Sequence, residues 1–428
     1  MSHHTFEIEN LTKLEARAKL TVEFDGDEID DVNLEVLESS RYFEAFLTNR
    51  KYHEAASISQ KICGICSVAH TIGSLKAVEN AFNIQPSEQT IDLRKLLLIA
   101  GHLHSHVVHL YFMALPDYLG FESILEMSSK RHDDVHRALR LEKISTEIIR
   151  LIGGRPIHPV SAVIGGFTEV PSKVKLETIL KKFKEMKEDA KKTAEMFMKF
   201  KTPNFENDSV QCALVKDKEY PLYDGKIVTL DGFEFEPKDY LEYISEHVKY
   251  YSTAMHSRFK GKNMLVGALA RLNINYKYLS DDTKDLLISS GIRLPCLSPF
   301  KNNLAQSIEL VHFVDKGIEI TKKLLKSGFK KERIKIKPKK GEGVMAAEAP
   351  RGVLYHHYRI DKKGLIKYTN IITPTSQNLE SIEKDIKEFL PRLLHLKREK
   401  MVLELEKLIR AYDPCISCPT HFLEVKFV

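Results

Sequence analysis

The sequence predicts a mainly α-helical protein with small β parts, that is, an α+β fold. Two observations carry this prediction. Apolar residues recur at helical spacing through long segments such as residues 173–200 and 377–411. Strict alternation of apolar and polar residues is confined to short segments, of which residues 17–36 are the clearest. We therefore expect a helical core with a β-hairpin near each end of the chain.

The N-terminal part begins with a hairpin and continues in helices. Alternating residues flank the turn Asp25-Gly26, which favours two antiparallel strands. Beyond residue 66 the apolar residues fall on one helix face, and residues 90–115 continue as a second apolar helix. We expect the four histidines of that second helix to pack and form hydrogen bonds rather than bind metal: His102, His104, His106 and His109.

The C-terminal part contains the second hairpin. Its turn is predicted at Lys362-Lys-Gly364, and the helix over residues 377–411 should break at Pro391. Between the two parts, residues 201–240 lose helical periodicity and contain short predicted strands. We therefore divide the chain into three segments that share one continuous core: residues 1–200, an insertion-like region at 201–265, and residues 266–428.

The composition is that of an ordinary soluble protein in a reducing compartment. Charged residues make up 29% and hydrophobic residues 43% of the chain. We find no run of about 18 apolar residues that would predict a membrane span. The N-terminus lacks the basic and apolar regions of a secretory signal. Six cysteines in 428 residues do not form a secreted disulfide framework, so we expect a cytoplasmic protein.

The charge pattern does not indicate a nucleic-acid partner. The formal net charge is only +6, which is small for this length. A basic run from Lys322 to Lys340 has ten Lys and Arg against one Glu, but Phe329 is its only aromatic residue. We interpret this run as an exposed connector.

Four of the six cysteines form two widely separated Cys-x-x-Cys pairs. One pair is Cys63 and Cys66, and the other, Cys415 and Cys418, lies close to the C-terminus. Each pair has a histidine nearby, and four thiols in two pairs indicate a site for a thiophilic transition metal. Cysteines bind metal as thiolates, and the ion itself lowers their pKa until they are deprotonated.

Residue types alone leave alternatives open. Zinc is the commonest metal bound by four cysteines, although zinc ribbons hold their pairs much closer together. A thioredoxin-like redox pair would need a βαβ pattern, which neither pair has. A redox-active metal centre therefore stands beside a structural zinc site, and a non-catalytic, zinc-stabilised scaffold of a larger redox complex is the alternative function.

The residues around the two pairs carry a family resemblance. Lys61-Ile-Cys-Gly-Ile-Cys-Ser-Val-Ala-His70 and Asp413-Pro-Cys-Ile-Ser-Cys-Pro-Thr-His421 resemble the signature of the large, catalytic subunit of [NiFe] hydrogenases. Within this family, the sequence most resembles the large subunits of cytoplasmic archaeal NAD(P)-linked hydrogenases or sulfhydrogenases. Respiratory-complex homologues of this fold have lost the nickel cysteines, whereas this chain has all four.

The resemblance implies a Ni–Fe centre in which iron carries carbon monoxide and two cyanide ligands. Nickel would be held by all four cysteines, and Cys66 and Cys418 would also bridge to iron. Cys415 would take up the proton released from dihydrogen, and Glu15 would carry it outward. Arg351, in a segment that resembles the family's Glu-Ala-Pro-Arg-Gly motif, would overhang the iron.

Further residues are implied around this centre. A magnesium ion would be bound by Glu44, the Ile371 carbonyl and His421. His70 and Lys61 would lie close to the cysteines, and the segment of Pro374 and Thr375 would hydrogen-bond a cyanide ligand. The sequence departs from the family at two positions: Lys61 stands where arginine is usual, and Ala16 stands where glycine is usual.

The resemblance also implies partners. Cys212 and Cys296 are isolated, so the chain itself has no remaining ligand set for an iron–sulfur cluster. Electrons would pass to a separate iron–sulfur small subunit, and through further subunits to a soluble acceptor such as NAD(P) or a deazaflavin coenzyme. Nickel-insertion factors would load the metal, and a maturation endopeptidase would then cut after His421.

Overall fold

A computed structural model describes residues 3–26, 28–328, 330, 332 and 336–421. Helices form most of the regular structure in these residues, and the sheets are small, which confirms the predicted fold class. The helices are α1 (Phe43–Leu47), α2 (Ala55–Ser59), α3 (Ser67–Phe82), α4 (Glu88–Val107), α5 (Leu115–Leu119), α6 (Ile124–Met127), α7 (His132–Gly153), α8 (Lys173–Met198), α9 (Ala268–Asn275), α10 (Asp281–Ser289), α11 (Asn302–Ser327), α12 (Pro374–Phe389) and α13 (Arg398–Ala411).

The strands are short and belong to separate sheets. They are β1 (His3–Ile8), β2 (Ala18–Asp25), β3 (Glu28–Val36), β4 (Ala162–Val163), β5 (Gly166–Phe167), β6 (Val210–Val215), β7 (Lys226–Thr229), β8 (Glu234–Phe235), β9 (Ile244–Val248), β10 (Met255–Phe259), β11 (Met264–Leu265), β12 (Gly341–Ala349), β13 (Gly352–Ile360) and β14 (Ile366–Ile372).

Both predicted hairpins are present, and each gains a third strand. The hairpin β2–β3 pairs Leu20 with Leu34, and β1 adds antiparallel to β2. Near the C-terminus, β13 and β14 form the predicted hairpin, and β12 pairs along the other side of β13. The strand β12 connects to β13 through the tight turn Pro350-Arg351, whereas no short turn lies between β1 and β2.

The insertion-like region contains more pairing than the sequence predicts. Its four-stranded sheet has the order β11-β6-β7-β8, in which β11 runs parallel to β6. The apolar face of this sheet shares a hydrophobic cluster with Val353, Tyr355 and Ile372 of the C-terminal sheet. The division of the chain into three segments stays a prediction.

The core combines packed helices with the C-terminal sheet. Nearly every residue of α3 is buried, because β12, β13 and α4 pack against it. The helices α7 and α11 pack against α4, and α8 packs against both of them. Glycine permits the closest helix contact, because a Cβ at Gly317 of α11 would lie 2.4 Å from the Phe183 ring of α8. A single rigid core of this kind can hold side chains from distant parts of the chain in fixed positions.

The histidines of α4 and the segment that follows it are packing and hydrogen-bonding residues, as predicted. His106 Nε2 lies 2.7 Å from Glu309, and His109 contacts Gln306 and the Arg410 carbonyl. By length and composition, the continuous helical stretch Glu88–Leu119 could cross a membrane. However, 78% of its most apolar window is buried inside the fold, as in the core helix of a soluble protein.

Candidate metal centre

Both cysteine pairs lie at points where a helix begins or ends. Cys66 directly precedes α3, and Cys63 follows a 3₁₀ turn. Cys415 follows α13, where Asp413 adopts φ 51° and Pro414 prevents the helix from continuing. The backbone of Ile416 donates to the Glu15 carbonyl at 3.0 Å, which joins the C-terminal pair to the N-terminal segment.

The structure brings the four thiols together in the buried core. The Sγ atoms of Cys63 and Cys415 lie 3.3 Å apart, and those of Cys415 and Cys418 lie 2.7 Å apart. Both separations are too long for a disulfide bond, and all four cysteines are free. The sulfurs of Cys63, Cys415 and Cys418 lie within 4.8 Å of one another, a spacing suited to a shared metal ion.

The four thiols do not share one electrostatic environment. Hydrogen bonds from Cys415 and Cys418, together with the Arg351 charge, lower the pKa of Cys66 well below its ordinary value. Burial instead raises the pKa of Cys415 and Cys418 well above the ordinary value. Of these three thiols, Cys66 therefore loses its proton most easily before metal binds.

Arg351 lies directly against the cluster and is held in place by Asp413. Its Nη1 donates to the Sγ of Cys66 at 3.1 Å, and its Nε donates to the Asp413 carbonyl at 2.7 Å. Asp413 Oδ1 also forms an ion pair with Nη2 of Arg351 at 2.9 Å. In the sequence, Asp413 is visible only as the first residue of the C-terminal cysteine motif, and its role as the partner of Arg351 emerges from the structure.

Arg351 lies in the two-residue turn between β12 and β13, and a second buried arginine holds this turn. All five N–H donors of Arg271 are used, by the carboxylates of Glu309 and Glu348 and by the carbonyls of Ala349 and Pro350. A buried guanidinium would be costly if any donor were left unpaired. The complete set of bonds therefore fixes the backbone immediately before Arg351.

Glu15 reaches the cluster from the half-buried edge of the site. Its Oε2 accepts a hydrogen bond from the Cys415 thiol at 3.2 Å. The backbone N–H and the hydroxyl of Ser417 also donate to the same carboxylate, at 3.1 and 2.7 Å. Glu15 is partly exposed while Cys415 is fully buried, so this carboxylate spans the boundary between the cluster and the surface.

Arg41 joins the two cysteine segments, a contact that the sequence does not predict. Its Nη2 donates to the carbonyls of Ile62 and Ser417, the residues immediately before Cys63 and Cys418. Its backbone N–H donates to the Thr420 carbonyl at 2.7 Å. In the sequence, Arg41 is marked only by its position three residues before Glu44, a predicted magnesium ligand.

The predicted magnesium ligands converge on one point rich in acceptor atoms. His421 Nε2 lies 2.5 Å from the Ile371 carbonyl and 3.6 Å from Glu44 Oε1. Burial opposes a charge on His421, but the hydrogen bond and negative charge of Glu44, together with the Cys418 carbonyl and the charge of Glu246, outweigh burial and raise the pKa of this histidine. The Ile371 carbonyl, Glu44 Oε1 and His421 Nε2 are close enough together to ligate a hard divalent cation, which would replace the proton on Nε2.

Glu246, on β9, is a further acid near this point that sequence reasoning missed. Burial raises its pKa to about 7, and the negative charge of Glu44 adds to this effect. Its Oε2 accepts a hydrogen bond from Asn370 Nδ2 at 2.7 Å. It lies on a short strand of the insertion-like region, where neither periodicity nor a motif marks it.

The remaining predicted residues differ in their placement. Thr375 Oγ1 accepts a hydrogen bond from the Cys415 backbone at 3.0 Å, and Pro374 is buried at the start of α12. His70 is buried on the first turn of α3, where burial lowers its pKa to about 3. Lys61 is exposed, so its side chain lies outside the buried cluster. The predicted role of Lys61 stays a prediction.

The donor set fits a redox-active Ni–Fe centre. Four buried sulfurs suit a soft metal, and those of Cys63, Cys415 and Cys418 are close enough together to be ligands of one ion. The separate group of Glu44, Ile371 and His421 suits a hard cation and offers no sulfur. Soft and hard donors are thus sorted into two adjacent sites.

Comparisons with known proteins agree with this geometry. The chain matches the family described as nickel-dependent hydrogenase over residues 41–139 and 197–421. It is 34% identical to the alpha chain of sulfhydrogenase 1 of Pyrococcus furiosus, and the match covers 98% of each chain. It is 31% identical to a chain of the vhc F420-non-reducing hydrogenase of Methanococcus voltae, over 97% of this chain and 94% of that one.

Solved structures share the fold. An NAD+-reducing [NiFe]-hydrogenase in the H2-reduced state has a TM-score of 0.88 and 25% identity, covering 98% of this chain and 99% of that chain. The Ni-Fe-Se hydrogenase of D. vulgaris Hildenborough has a TM-score of 0.80 at 23% identity, which supports the fold alone. The chain therefore belongs to the nickel-dependent hydrogenase family. Within that family it is a large, catalytic subunit of the [NiFe] type, and hence an oxidoreductase.

Proposed function

We propose that this protein catalyses the reversible oxidation of dihydrogen to protons and electrons. Cys63, Cys66, Cys415 and Cys418 would hold nickel, and Cys66 and Cys418 would also hold iron. The single observation that carries this proposal is the contact between the buried thiol of Cys415 and the half-buried carboxylate of Glu15 at 3.2 Å. A structural zinc site would not need a carboxylate positioned to exchange a proton with one of its sulfurs.

When bound, the Ni–Fe centre with its carbon monoxide and cyanide ligands would supply the two-electron chemistry of dihydrogen. The chain itself supplies the proton route. A proton on Cys415 Sγ can pass directly to Glu15 Oε2, because hydrogen-bonded partners at this distance exchange protons readily. The two bonds from Ser417 hold the carboxylate in this orientation. Glu15 then releases the proton toward the surface.

Arg351 has an electrostatic role in the proposal. A guanidinium stays charged at any physiological pH, so it stabilises negative charge on Cys66 without competing for the proton. Its ion pair with Asp413 keeps it close to the thiols. A magnesium ion would bind at Glu44, Ile371 and His421, where it would tie the end of the chain to α1 and β14.

Electrons must leave through another protein chain. Cys212 is buried on β6 in the sheet of the insertion-like region, where burial raises the pKa of its thiol, and Cys296 lies in a separate loop. Neither belongs to a group of cysteines that could hold an iron–sulfur cluster among the described residues. Relatives named as alpha subunits support a heteromeric complex. We propose that this complex is cytoplasmic and that it includes an iron–sulfur small subunit.

The acceptor is proposed to be a soluble cofactor. The similarity in fold to an NAD+-reducing hydrogenase supports a pyridine nucleotide such as NAD(P). A deazaflavin coenzyme is the alternative, and two relatives are named for not reducing such a cofactor. Reduction of NAD(P) by dihydrogen in the purified complex would separate these two acceptors.

Isotope exchange tests the proposed function directly. The purified complex under deuterium gas in ordinary water should release HD and H2, measured by mass spectrometry. Glu15→Gln keeps the size and hydrogen bonding of the side chain but cannot titrate, so exchange should fall by orders of magnitude.

Glu38→Gln is the matched control, because Glu38 bonds the Arg17 backbone in the same region and should leave exchange unchanged. An unmodified complex that contains nickel and iron but performs no exchange would refute the function. Normal exchange in Glu15→Gln would refute only the proton route.

A further inference from the structure

Two exposed histidines face each other at the start of α7. The Nε2 atoms of His132 and His136 lie 2.9 Å apart, whereas the centroids of their rings lie 4.0 Å apart. Because the nitrogens are closer together than the ring centres, the two Nε2 atoms are directed toward a common point. We call these two residues the α7 histidine pair.

The local structure explains why the two rings meet at the surface. Residues four apart lie one above the other on a helix, which places His132 beside His136. Other residues of α7 form its buried face, among them Ala138 and Leu141. Both histidines are exposed, so an ion can reach them directly from solvent.

The separation of the two nitrogens suits a single metal ion. Imidazole nitrogen binds a zinc ion at about 2.0–2.1 Å. Two such bonds that meet at an angle of about 90–110° place their nitrogens about 2.8–3.4 Å apart. The observed separation of 2.9 Å lies within this interval. The helix therefore already holds both nitrogens at the spacing that a shared ion requires.

The charged side chains around the pair balance one another. Arg131 and Arg137 both pair with the carboxylate of Asp134, at 2.6 and 2.9 Å. The carboxylate of Asp133 offsets the remaining positive charge, and its Oδ1 lies 3.9 Å from His132 Nδ1. These four side chains leave no net charge to attract a cation. Coordination by the imidazole nitrogens must therefore provide the affinity, which favours transition metals over hard cations such as Mg²⁺.

A hydrogen bond between the two rings accounts for the contact when no metal is bound. Such a bond between exposed groups gains little, because each nitrogen can bond to water instead. The proton that lies between the rings can move to Nδ1 of its own imidazole, since a neutral ring carries one N–H on either nitrogen. Both Nε2 lone pairs then become available to a metal, and no proton has to leave the protein.

We propose that the α7 histidine pair is a binding site for a divalent transition metal ion that prefers imidazole, such as Ni²⁺ or Zn²⁺. Water would fill the remaining coordination positions, so the ion would exchange readily with solvent. The ligands are exposed nitrogens, in contrast to the four buried sulfurs of the metal centre. The inference does not rest on the proposed function, and it predicts a second class of bound nickel, which a chelator removes.

Titration with Ni²⁺ alone tests the site. The purified complex is first dialysed against a chelator and is then titrated with nickel chloride in a calorimeter. His132→Gln and His136→Gln should each lower the number of labile nickel ions by one per chain, because the remaining imidazole holds the ion only weakly. His395→Gln is the matched control, since His395 is exposed elsewhere on the chain and should leave the number unchanged.

Hydrogen exchange measured by mass spectrometry locates the ion independently. An ion that joins His132 to His136 should hold the first turns of α7 together and slow the exchange of their backbone amides. Addition of Ni²⁺ should therefore protect the start of α7 in the unmodified protein but not in His136→Gln. Addition of Mg²⁺ should protect neither protein.

Either measurement can overturn the proposal. An unchanged number of labile nickel ions in both histidine variants would show that nickel binds elsewhere. Exchange at the start of α7 that does not respond to Ni²⁺ would contradict the site in the same way. Equal protection by Mg²⁺ and Ni²⁺ would contradict coordination by imidazole.

Discussion

At Ala16 the backbone has a φ of 78°, a left-handed conformation that costs a residue with a Cβ roughly 1–2 kcal/mol. The bonds on either side explain why it persists. The Glu15 carbonyl accepts from Ile416, and the Ala18 carbonyl accepts from Leu11, both at 3.0 Å. The chain must turn sharply between these bonds to direct Glu15 at the thiols. The strained conformation of Ala16 therefore helps to place Glu15 for the proposed proton route.

Ala16→Gly should stabilise the protein. Glycine adopts a positive φ without steric cost, and after its greater entropy in the unfolded chain is subtracted, about 0.5–1 kcal/mol should remain. Chemical denaturation measures the free energy of unfolding. As a control, Ala18→Gly in the buried strand β2 should destabilise the protein instead. Equal destabilisation by both substitutions would contradict the account of strain at residue 16.

At the scale of elements, periodic segments could be predicted and long-range pairings could not. The amphipathic pattern predicts a helix over 173–200, and α8 spans Lys173–Met198, because one face of this helix is solvated and the other packs on α11. The parallel pairing of β6 with β11 joins residues such as Val210 and Met264 and leaves no local trace. Hairpins carry a turn signal, whereas parallel strands do not.

The candidate site, too, could be predicted only where a local sequence pattern marks its residues. Motifs led to the cysteines, Glu15, Glu44 and His421, because the chemistry of each residue type is visible in the sequence. Arg41 and Glu246 were missed as contributors, since their partners lie far away along the chain. Arg41, for example, bonds Ser417 across 376 residues. Only the packed core brings such pairs together.

Arg41→Met should weaken metal retention while the fold persists. Methionine keeps length but removes the donors that join Ile62 to Ser417, and each orphaned buried carbonyl costs roughly 1–3 kcal/mol. The two cysteine segments should then separate more easily. Nickel content after dialysis against a chelator, compared at equal folded protein, measures this.

Arg17→Met serves as the control, because Arg17 is exposed and its side chain does not join the two segments. Nickel content should therefore fall only in the Arg41 variant. Equal nickel retention in both variants would contradict a joining role for Arg41.

At the scale of the whole molecule, the metal centre draws on both ends of the chain. Cys63 and Cys415 are 352 residues apart, yet their sulfurs lie 3.3 Å apart. The last described residue, His421, is only 2% exposed, and its carbonyl accepts a hydrogen bond from the Glu44 backbone. Residues 422–428, which the proposed maturation removes, lie outside the described residues. Because His421 is buried, an endopeptidase could reach the peptide bond after it only while the C-terminal cysteine segment lies outside the core.

The metal-loaded enzyme should therefore end at His421. Intact-mass measurement of active protein should show loss of the last seven residues of the sequence. Chain produced without nickel should keep them, because insertion of the metal is proposed to precede the cut. An active, nickel-loaded chain that still ends at Val428 would contradict the proposed maturation.

Metal content, measured together with infrared absorption, tests the central claim most directly. If the four thiols hold a Ni–Fe centre, the purified complex should contain nickel and iron at the level of one nickel per chain. It should also absorb in the region of iron-bound carbon monoxide and cyanide. Cys415→Ser should lower the nickel content and abolish dihydrogen activity, because a hydroxyl is a poor ligand for a soft metal such as nickel. Zinc as the only metal bound by the four cysteines, without these absorption bands, would contradict the account.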